Sequence, residues 1–466
     1  MFLGAAHDRR PSRGCSARLL DGEQILIRMC RQSTAGATHP ASWKTGLVLL
    51  LVLTCTSQIS GATQYETALN AGLAALRAGD LPSARQNLEQ ASLMPEAGAM
   101  VWLALAETYR RLPDPEQAEQ AAAKALQMGP NDPRVLQGLA TYQAALGRWA
   151  EAASMAERSA RLLPQSGDAV QTAVGLYLRA EQPEQASALA QWGLEQNDST
   201  DLRLLLVQAH LAGGNAKLAV EVLERAIQLQ PYEERPYFEL ARLQMSLQDF
   251  EGSLATIARG EKIFSKSPQL ELLRGIAFYG QRRFSEAVDA FLRSAELGLK
   301  MEQPHAFLGR ILSHAHDRLD RVTARFAAFA AATPESYLSQ YLYAAALLEG
   351  MGPSLDPATA AKAEALLQRS LELKEDFADS HFEFGVLLAK KREFEGAEKH
   401  LQRSVELNPK SSKAHYHLSR VYARLGKQEQ AERERSLHEK LTEDERQAMR
   451  SGMAPETQPA LSGMIR

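Results

Sequence analysis

Residues 102–130 read WLALAETYRRLPDPEQAEQAAAKALQMGP, and this stretch decides the fold. Large, small and aromatic residues follow one another in a fixed order that ends in proline: Trp102, Leu105, Ala106, Tyr109, Ala118, Ala122, Ala125 and Pro130. One of its alanines recurs along the chain one or two repeat lengths apart, almost always in steps of 34 residues: Ala84, Ala118, Ala152, Ala186, Ala219, Ala287, Ala363, Ala397 and Ala431. A fixed period of this length is typical of a helical-repeat array.

The order of residues resembles the tetratricopeptide repeat (TPR), which consists of two antiparallel helices, A and B. Small residues let the helices approach each other closely, and the large ones fill the space between them. The final proline cannot continue helix B, so it ends the repeat. Alignment gives about eleven units over roughly residues 65–445, which begin near residues 65, 99, 133, 167, 200, 234, 268, 302, 336, 378 and 412.

The resemblance implies an all-α fold, a right-handed superhelical solenoid of about eleven TPR helix-turn-helix units. We expect three parts: an N-terminal extension and signal peptide at 1–62, the TPR array at 63–445 and a disordered tail at 446–466. Glu432 to Arg450 is dense in charge and is expected to form a solvated capping helix.

Two units depart from the pattern. In the unit near 302, Arg321 stands where a small residue is needed, so either the register slips and Ala324 takes the small position or the unit is loose. In the unit near 336, residues 350–357 lengthen the connection between the two helices. Such an insertion is either a tolerated surface loop or a functional one.

The residues before the array have the pattern of a secretory signal. Lys44 precedes a short apolar core at 47–53, and the small residues Ser60-Gly61-Ala62 follow it. We expect cleavage after Ala62 and an exported protein, periplasmic or extracellular. Met29 is a plausible true start. A lipid anchor at Cys55 is the alternative, although Thr54 is not the small residue that normally precedes a lipidated cysteine.

Composition excludes several kinds of chemistry. All three cysteines precede Ala62, so the mature chain would have neither a disulfide nor a reactive thiol. Removing residues 1–62, which carry a net charge of about +4, changes the net charge from −3 to about −7. A mildly acidic chain argues against a nucleic-acid partner. Membrane association is expected only if Cys55 is lipidated or the signal stays uncleaved.

In TPR proteins the concave groove is lined mainly by helix A positions two, five, nine and twelve. Carried onto this chain, these positions predict a partner-binding groove at Phe238, Arg242, Met245, Leu272, Ile276, Tyr279, Phe382, Tyr416 and Arg420, with Val386 beside Phe382. Aromatic residues and arginine are common anchors of interfaces. The alternative is that the aromatic residues only pack between repeats. The Lys and Asn clamp that binds a terminal carboxylate in some TPR domains is not met, because Lys413 stands alone.

No catalytic site, metal or cofactor is predicted. The pairs His314/His316 and His415/His417 lack a further spaced ligand, and His305, His381 and His415 fall at packing positions. No nucleophile elbow, phosphate loop or HExxH sequence occurs. We therefore predict a non-enzymatic scaffold that binds a protein or peptide in its groove. The alternative is a regulatory or substrate-presenting subunit of an envelope enzyme, such as a glycosyltransferase or a polysaccharide export system.

Overall fold

The computed structural model describes residues 64–351 and 355–450, without the side chains of 448–450. Within these ranges the chain forms twenty-two α-helices and two short 3-10 helices, and no strand. The chain divides into two compact bodies, an N-terminal body (Met1–Leu139) and a C-terminal body (Ala140–Arg466). The predicted signal peptide, Met29 and Cys55 lie outside the described residues.

The helices follow one another in eleven A/B pairs. The N-terminal body contains α1 (64–78), α2 (Leu81–Ser92), α3 (Ala99–Arg111), α4 (Pro115–Met128) and the start of α5 (Pro133–Ala145). The C-terminal body continues with α6 (Trp149–Leu162), α7 (Gly167–Arg179), α8 (Pro183–Gln196), α9 (Thr200–Ala212), α10 (Ala216–Leu229), α11 (Glu234–Ser246), α12 (Phe250–Glu261), α13 (Pro268–Gly280), α14 (Phe284–Leu297), α15 (Glu302–Arg310), α16 (Leu319–Ala332), α17 (Tyr337–Met351), α18 (Pro357–Leu373), α19 (Ala378–Lys390), α20 (Phe394–Leu407), α21 (Ser412–Arg424) and α22 (Gln428–Arg450). The predicted all-α array of about eleven helix-turn-helix units is confirmed.

The recurring alanine lies in the core of each pair. It occupies the fourth residue of most B helices, where it is at most 1% exposed: Ala84, Ala118, Ala152, Ala186, Ala219, Ala287, Ala397 and Ala431. In α12 the same place is taken by the small Ser253. A side chain of this size lets two helices approach each other, and the larger residues around it fill the interface. The 34-residue period of the sequence therefore reflects the burial of one small residue in each repeat.

Helix ends follow from local residues. Helices α4, α6 and α20 each end two residues before the proline of their repeat (Pro130, Pro164 and Pro409), since the residue before a proline disfavours the helical conformation. Many helices begin at an Asp or Ser whose side chain accepts a hydrogen bond from a backbone N–H of the first turn. Asp249 does so for Gly252 at 2.9 Å, for example.

The repeat that begins near 302 is irregular. Its helix α15 has nine residues, whereas the neighbouring A helix α13 has thirteen, and two 3-10 turns, Leu312–His314 and His316–Arg318, replace the missing end. Of the two sequence interpretations of this repeat, the one-residue register slip agrees with the structure, but the assignment of Ala324 to the small position is corrected. Val322, the fourth residue of α16, is fully buried in the small position, while Arg321 and Ala324 are exposed. The register slips by one residue and accepts a larger side chain.

Two other boundaries need comment. Helix α22 runs to Arg450, so the predicted start of the tail at 446 falls inside a helix, and residues 451–466 lie outside the described ranges. The lengthened connection after α17 includes residues 352–354, which also lie outside them. In the described ranges, no helix is both long and apolar enough to cross a membrane.

Candidate partner-binding groove

A cavity of about 400 Å³ lies on the A helices of four consecutive repeats in the C-terminal body. Helices α15, α17, α19 and α21 each contribute side chains to its wall. The residues used below are Arg310, Tyr341, Glu349, Asp379, Phe382, Glu383, Val386, Lys390, Lys413 and His417. We call it the A-helix cavity. Its size is within the range of protein pockets that hold a side chain or a small ligand.

Helix α19 supplies half of these residues from one face. Asp379, the adjacent pair Phe382 and Glu383, Val386 and Lys390 are spaced by three or four residues from one group to the next, so they lie along one stripe of the helix. The opposite side of α19 carries core residues such as Leu388, which packs with α20 and α21. Burial of that side fixes the rotation of α19 and turns the polar stripe toward the cavity.

Aromatic rings extend the wall toward the end of the array. The Phe382 ring meets His417 edge to face at 5.4 Å between centroids, and His417 meets Tyr416 at the same distance. The Arg420 guanidinium carbon lies 5.5 Å from the centroid of the Tyr416 ring, a distance at which a cation is attracted by the ring. On the other side, Tyr341 packs against Phe377 at 5.1 Å.

One end of the cavity is electrically negative. Burial, the largest cause, and the carboxylates of Asp379 and Glu349 together raise the pKa of Glu383 to about 7, against the opposing effect of Lys390 and Lys413. Burial also raises the pKa of Asp379, with Arg310 acting in the other direction. Burial and then the charges of Glu383 and Asp379 raise the pKa of Tyr341 well above its usual value. Acidic neighbours therefore outweigh basic ones at this end.

The other end is electrically positive. Burial, the largest cause, and the positive charges of Arg420, Lys390 and Lys413 together lower the pKa of His417 to about 4. His417 is therefore neutral at neutral pH, and the charge here comes from the arginine and the two lysines, all of which are exposed. The A-helix cavity thus presents carboxylates at one end, cations at the other and aromatic rings between them.

The predicted groove residues of the central repeats differ from one another in burial. Phe238, Leu272 and Tyr279 are half-buried and pack against the core of the C-terminal body. The guanidinium of Arg242 pairs with Glu239 at 2.7 Å. Met245 and Ile276 are 4% and 3% exposed. For these two the prediction of an accessible groove position is corrected, because the crowded interface between A helices covers both side chains.

The residues predicted near the end of the array come together. Phe382 and Val386 both line the A-helix cavity. Tyr416 and Arg420 lie outside its wall, but they reach it through His417. Tyr416 is 41% exposed, so its ring is open to solvent. In the central triplets two of the six side chains, Met245 and Ile276, are therefore core, whereas the C-terminal set borders a concave site.

Sequence reasoning missed most of the charged wall. Asp379 and Lys413 stand at repeat position two, and Arg310 stands at position nine, so the groove positions already named would have found them. Tyr341, Glu383 and His417 share position six, one residue beyond the expected stripe. The available signal was charge at the groove positions of successive repeats, whereas the prediction followed aromatic residues.

Histidines do not form a metal centre in the part of the chain that the structure describes, where no group of three or more His, Cys, Asp or Glu is placed to hold one. His305 is fully buried and stacks on Phe329 at 3.9 Å. His415 interacts with Glu434 at 2.5 Å and contacts the Pro409 carbonyl. Both histidines pack in the core, but only His415 has hydrogen-bond partners for both ring nitrogens, since the buried Nε2 of His305 has none among the described residues.

Comparisons with known proteins agree with the repeat pattern. Tetratricopeptide repeat family models match residues 69–133, 200–243 and 400–433. A search of curated proteins finds no match. Similar solved structures include yeast Tom70, with 17% identity, 87% of this chain and 99% of that chain covered, and a TM-score of 0.35.

Two further solved structures are tetratricopeptide repeat proteins. One, from Parabacteroides merdae ATCC 43184, has 21% identity, coverage of 54% of this chain and 99% of that one, and a TM-score of 0.31. The other, YrrB, is described as having an unusual peptide-binding site, with 19% identity, coverage of 50% and 98%, and a TM-score of 0.30. At these values the likenesses carry no argument about partners. The repeated helix pairs and the three family matches together identify the chain as a tetratricopeptide repeat protein.

Proposed function

We propose that this protein is an exported, non-enzymatic scaffold that binds a segment of a protein partner on the A helices of its C-terminal body. The A-helix cavity carries the proposal, because four consecutive repeats each contribute side chains to one concave site. Half-buried rings such as Phe382 offer apolar area, and the charged ends offer specificity. The repeat architecture suits an extended partner, since stacked repeats present a continuous surface.

Export rests on the sequence before the array. Lys44, the apolar core at 47–53 and Ser60-Gly61-Ala62 support a cleaved signal. N-terminal sequencing of the protein from its own host should find a start close to Thr63. A cytoplasmic protein that still carries Met29 would contradict export, and a lipidated Cys55 would favour an anchored form.

The binding proposal is tested by affinity purification from the envelope fraction of the host, followed by mass spectrometry. We expect the wild-type protein to retain a partner that Phe382→Ala with Val386→Glu loses. Tyr232→Ala is the matched control, because Tyr232 is an exposed aromatic residue, at 83%, outside the cavity wall. Retention of the partner by the cavity variant would refute this site. An enzyme recovered with the wild-type protein would instead favour the regulatory-subunit alternative.

A further inference from the structure

The three carboxylates of the A-helix cavity have no ion-pair partner among the described side chains. Glu349, Asp379 and Glu383 make no contact within 4.0 Å with any described lysine, arginine or histidine nitrogen. Elsewhere in this body, carboxylates that face a neighbouring repeat pair with arginine, as in Arg259–Glu224, Arg318–Asp289, Arg369–Glu335 and Arg403–Asp376. Arg310, Lys390 and Lys413 offset the acidic wall only in part, so the wall is suited to a cation from outside.

The order of the wall favours one kind of occupant. The carboxylates lie on α17 and α19, the exposed Lys413 and Arg420 lie on α21, and Phe382 stands between the two ends. A purely anionic ligand would face Glu383 and Asp379, and a purely cationic one would face Lys413. Only a ligand with both charges, separated along its length, matches both ends.

We propose that the A-helix cavity binds a peptide segment that places a lysine or arginine side chain against Glu349, Asp379 and Glu383 and an acidic side chain against Lys413 and Arg420. This inference rests on the proposed peptide-binding function and specifies the partner's chemistry. The aliphatic stem of the basic side chain lies against Phe382 and Tyr341. The chain already uses such contacts internally, where the Arg179 guanidinium lies 3.9 Å above the Trp149 ring.

Binding of the basic side chain couples to a proton. The charged and titratable groups around Glu383 are Arg310 on α15, Glu349 and Tyr341 on α17, Asp379 and Lys390 on α19, and Lys413 and His417 on α21. Near neutral pH His417 and Tyr341 stay neutral. Because the pKa of Glu383 is about 7 in the free protein, a cation that needs its ionised form releases a proton on binding.

The test selects short random peptides on the full-length protein from a displayed library and measures the affinity of those whose binding is lost in Phe382→Ala. We expect these peptides to carry a basic and an acidic residue. Glu383→Gln with Asp379→Asn should weaken them by at least about tenfold. Asp168→Asn, at the same repeat position as Asp379 but on α7, is the matched control and should leave the affinity unchanged.

The pH dependence provides a second readout. Affinity should rise about tenfold between about pH 6 and pH 8 in the wild-type protein, and the rise should be much smaller in Glu383→Gln. Charge reversal in the peptide, with its basic residue replaced by Glu, should abolish binding.

The outcomes separate the two proposals. If no selected peptide depends on Phe382, the cavity is not the peptide-binding site and the proposed function fails with the inference. If peptides depend on Phe382 but lack a basic residue, or bind Glu383→Gln with Asp379→Asn at full strength, the function stands and the inference is overturned. Circular dichroism and the melting temperature of each variant show that any loss is not unfolding.

Discussion

Two parts of the C-terminal body are built from the same repeat and end in different surfaces. In residues 200–297 the A helices keep their full length, and of the residues predicted to line a groove two are buried and three are half-buried against the core. In residues 302–424 helix α15 stops at Arg310, and the chain there forms 3-10 turns whose Leu312 and Ser313 line the A-helix cavity. Where the repeats are regular, predicted groove side chains pack between neighbouring A helices. Where α15 is shortened, the surface between the A helices contains the A-helix cavity.

A close helix approach compensates for the shortened helix. A β-carbon at Gly309 would lie 2.3 Å from Leu342 Cδ2, so any larger residue there would require the Leu342 side chain to shift before α15 could approach α17 this closely. Farther along, the stacked rings of Phe291 and Phe307, 4.8 Å apart, join α14 to α15. The irregular repeat is therefore held firmly on its core side while its concave side stays open.

The largest expected effect is a difference in the stability lost when an aromatic ring is removed from the core and from the cavity wall. Phe291→Ala, in the core, should lower the free energy of unfolding by about 3–5 kcal/mol, because a fully buried ring is replaced by a void. Phe382→Ala, in the half-buried cavity wall, should cost about 1–2 kcal/mol. Urea unfolding followed by circular dichroism measures both. Equal losses would mean that Phe382 is a core residue and that the A-helix cavity is not an open surface.

A second contrast concerns paired and unpaired carboxylates. The folded state raises the pKa of Glu383 to about 7, so the folded protein binds a proton more tightly than the unfolded chain does. The resulting stability is complete below the ordinary pKa of glutamate and is lost as the pH rises through about 7. Glu383→Gln should therefore stabilise the protein by about 2–3 kcal/mol at about pH 8 and have little effect at about pH 4.

A matched variant in residues 200–297 should change the stability in the opposite direction. Glu224→Gln removes a surface pair with Arg259 and should lower stability by less than about 1 kcal/mol. Melting temperatures across this pH range measure both variants. A Glu383→Gln protein that is less stable than wild type at about pH 8 would show that the carboxylate is compensated within the fold.

Sequence reasoning predicted the helix pairs well and the site only in part. The period of Ala84, Ala118 and Ala152 reports helix contacts within a repeat, which local sequence determines. The slip at Arg321 was predicted, but Ala324 was chosen because a small residue was expected, whereas the larger Val322 fills the position. Met245 and Ile276 were misplaced because groove positions depend on how closely neighbouring A helices approach, which no single repeat encodes. Phe382 was found, since its face stays open beside the shortened α15.

The smallest expected effect concerns the turns between helices A and B. Regular repeats place one residue in the left-handed conformation there: glycine at Gly147 (φ 74°), but Gln248 (φ 62°) and Arg392 (φ 65°) in other repeats. A non-glycine residue in this conformation costs about 1–2 kcal/mol of backbone strain. Glycine removes this strain, but it costs about 0.5–1 kcal/mol because the unfolded chain gains conformational entropy. Gln248→Gly should therefore raise stability by about 0.5 kcal/mol, and Gly147→Ala should lower it by about 1 kcal/mol.

The Gln248 side chain is exposed, so its removal takes away no buried packing. The irregular repeat turns through 3-10 helices instead, so His314→Gly should not show this gain and serves as the control. Urea midpoints for the three variants decide the matter: if Gln248→Gly is no more stable than wild type while Gly147→Ala is destabilised, the side chain at 248 stabilises its turn in a way that backbone strain does not explain.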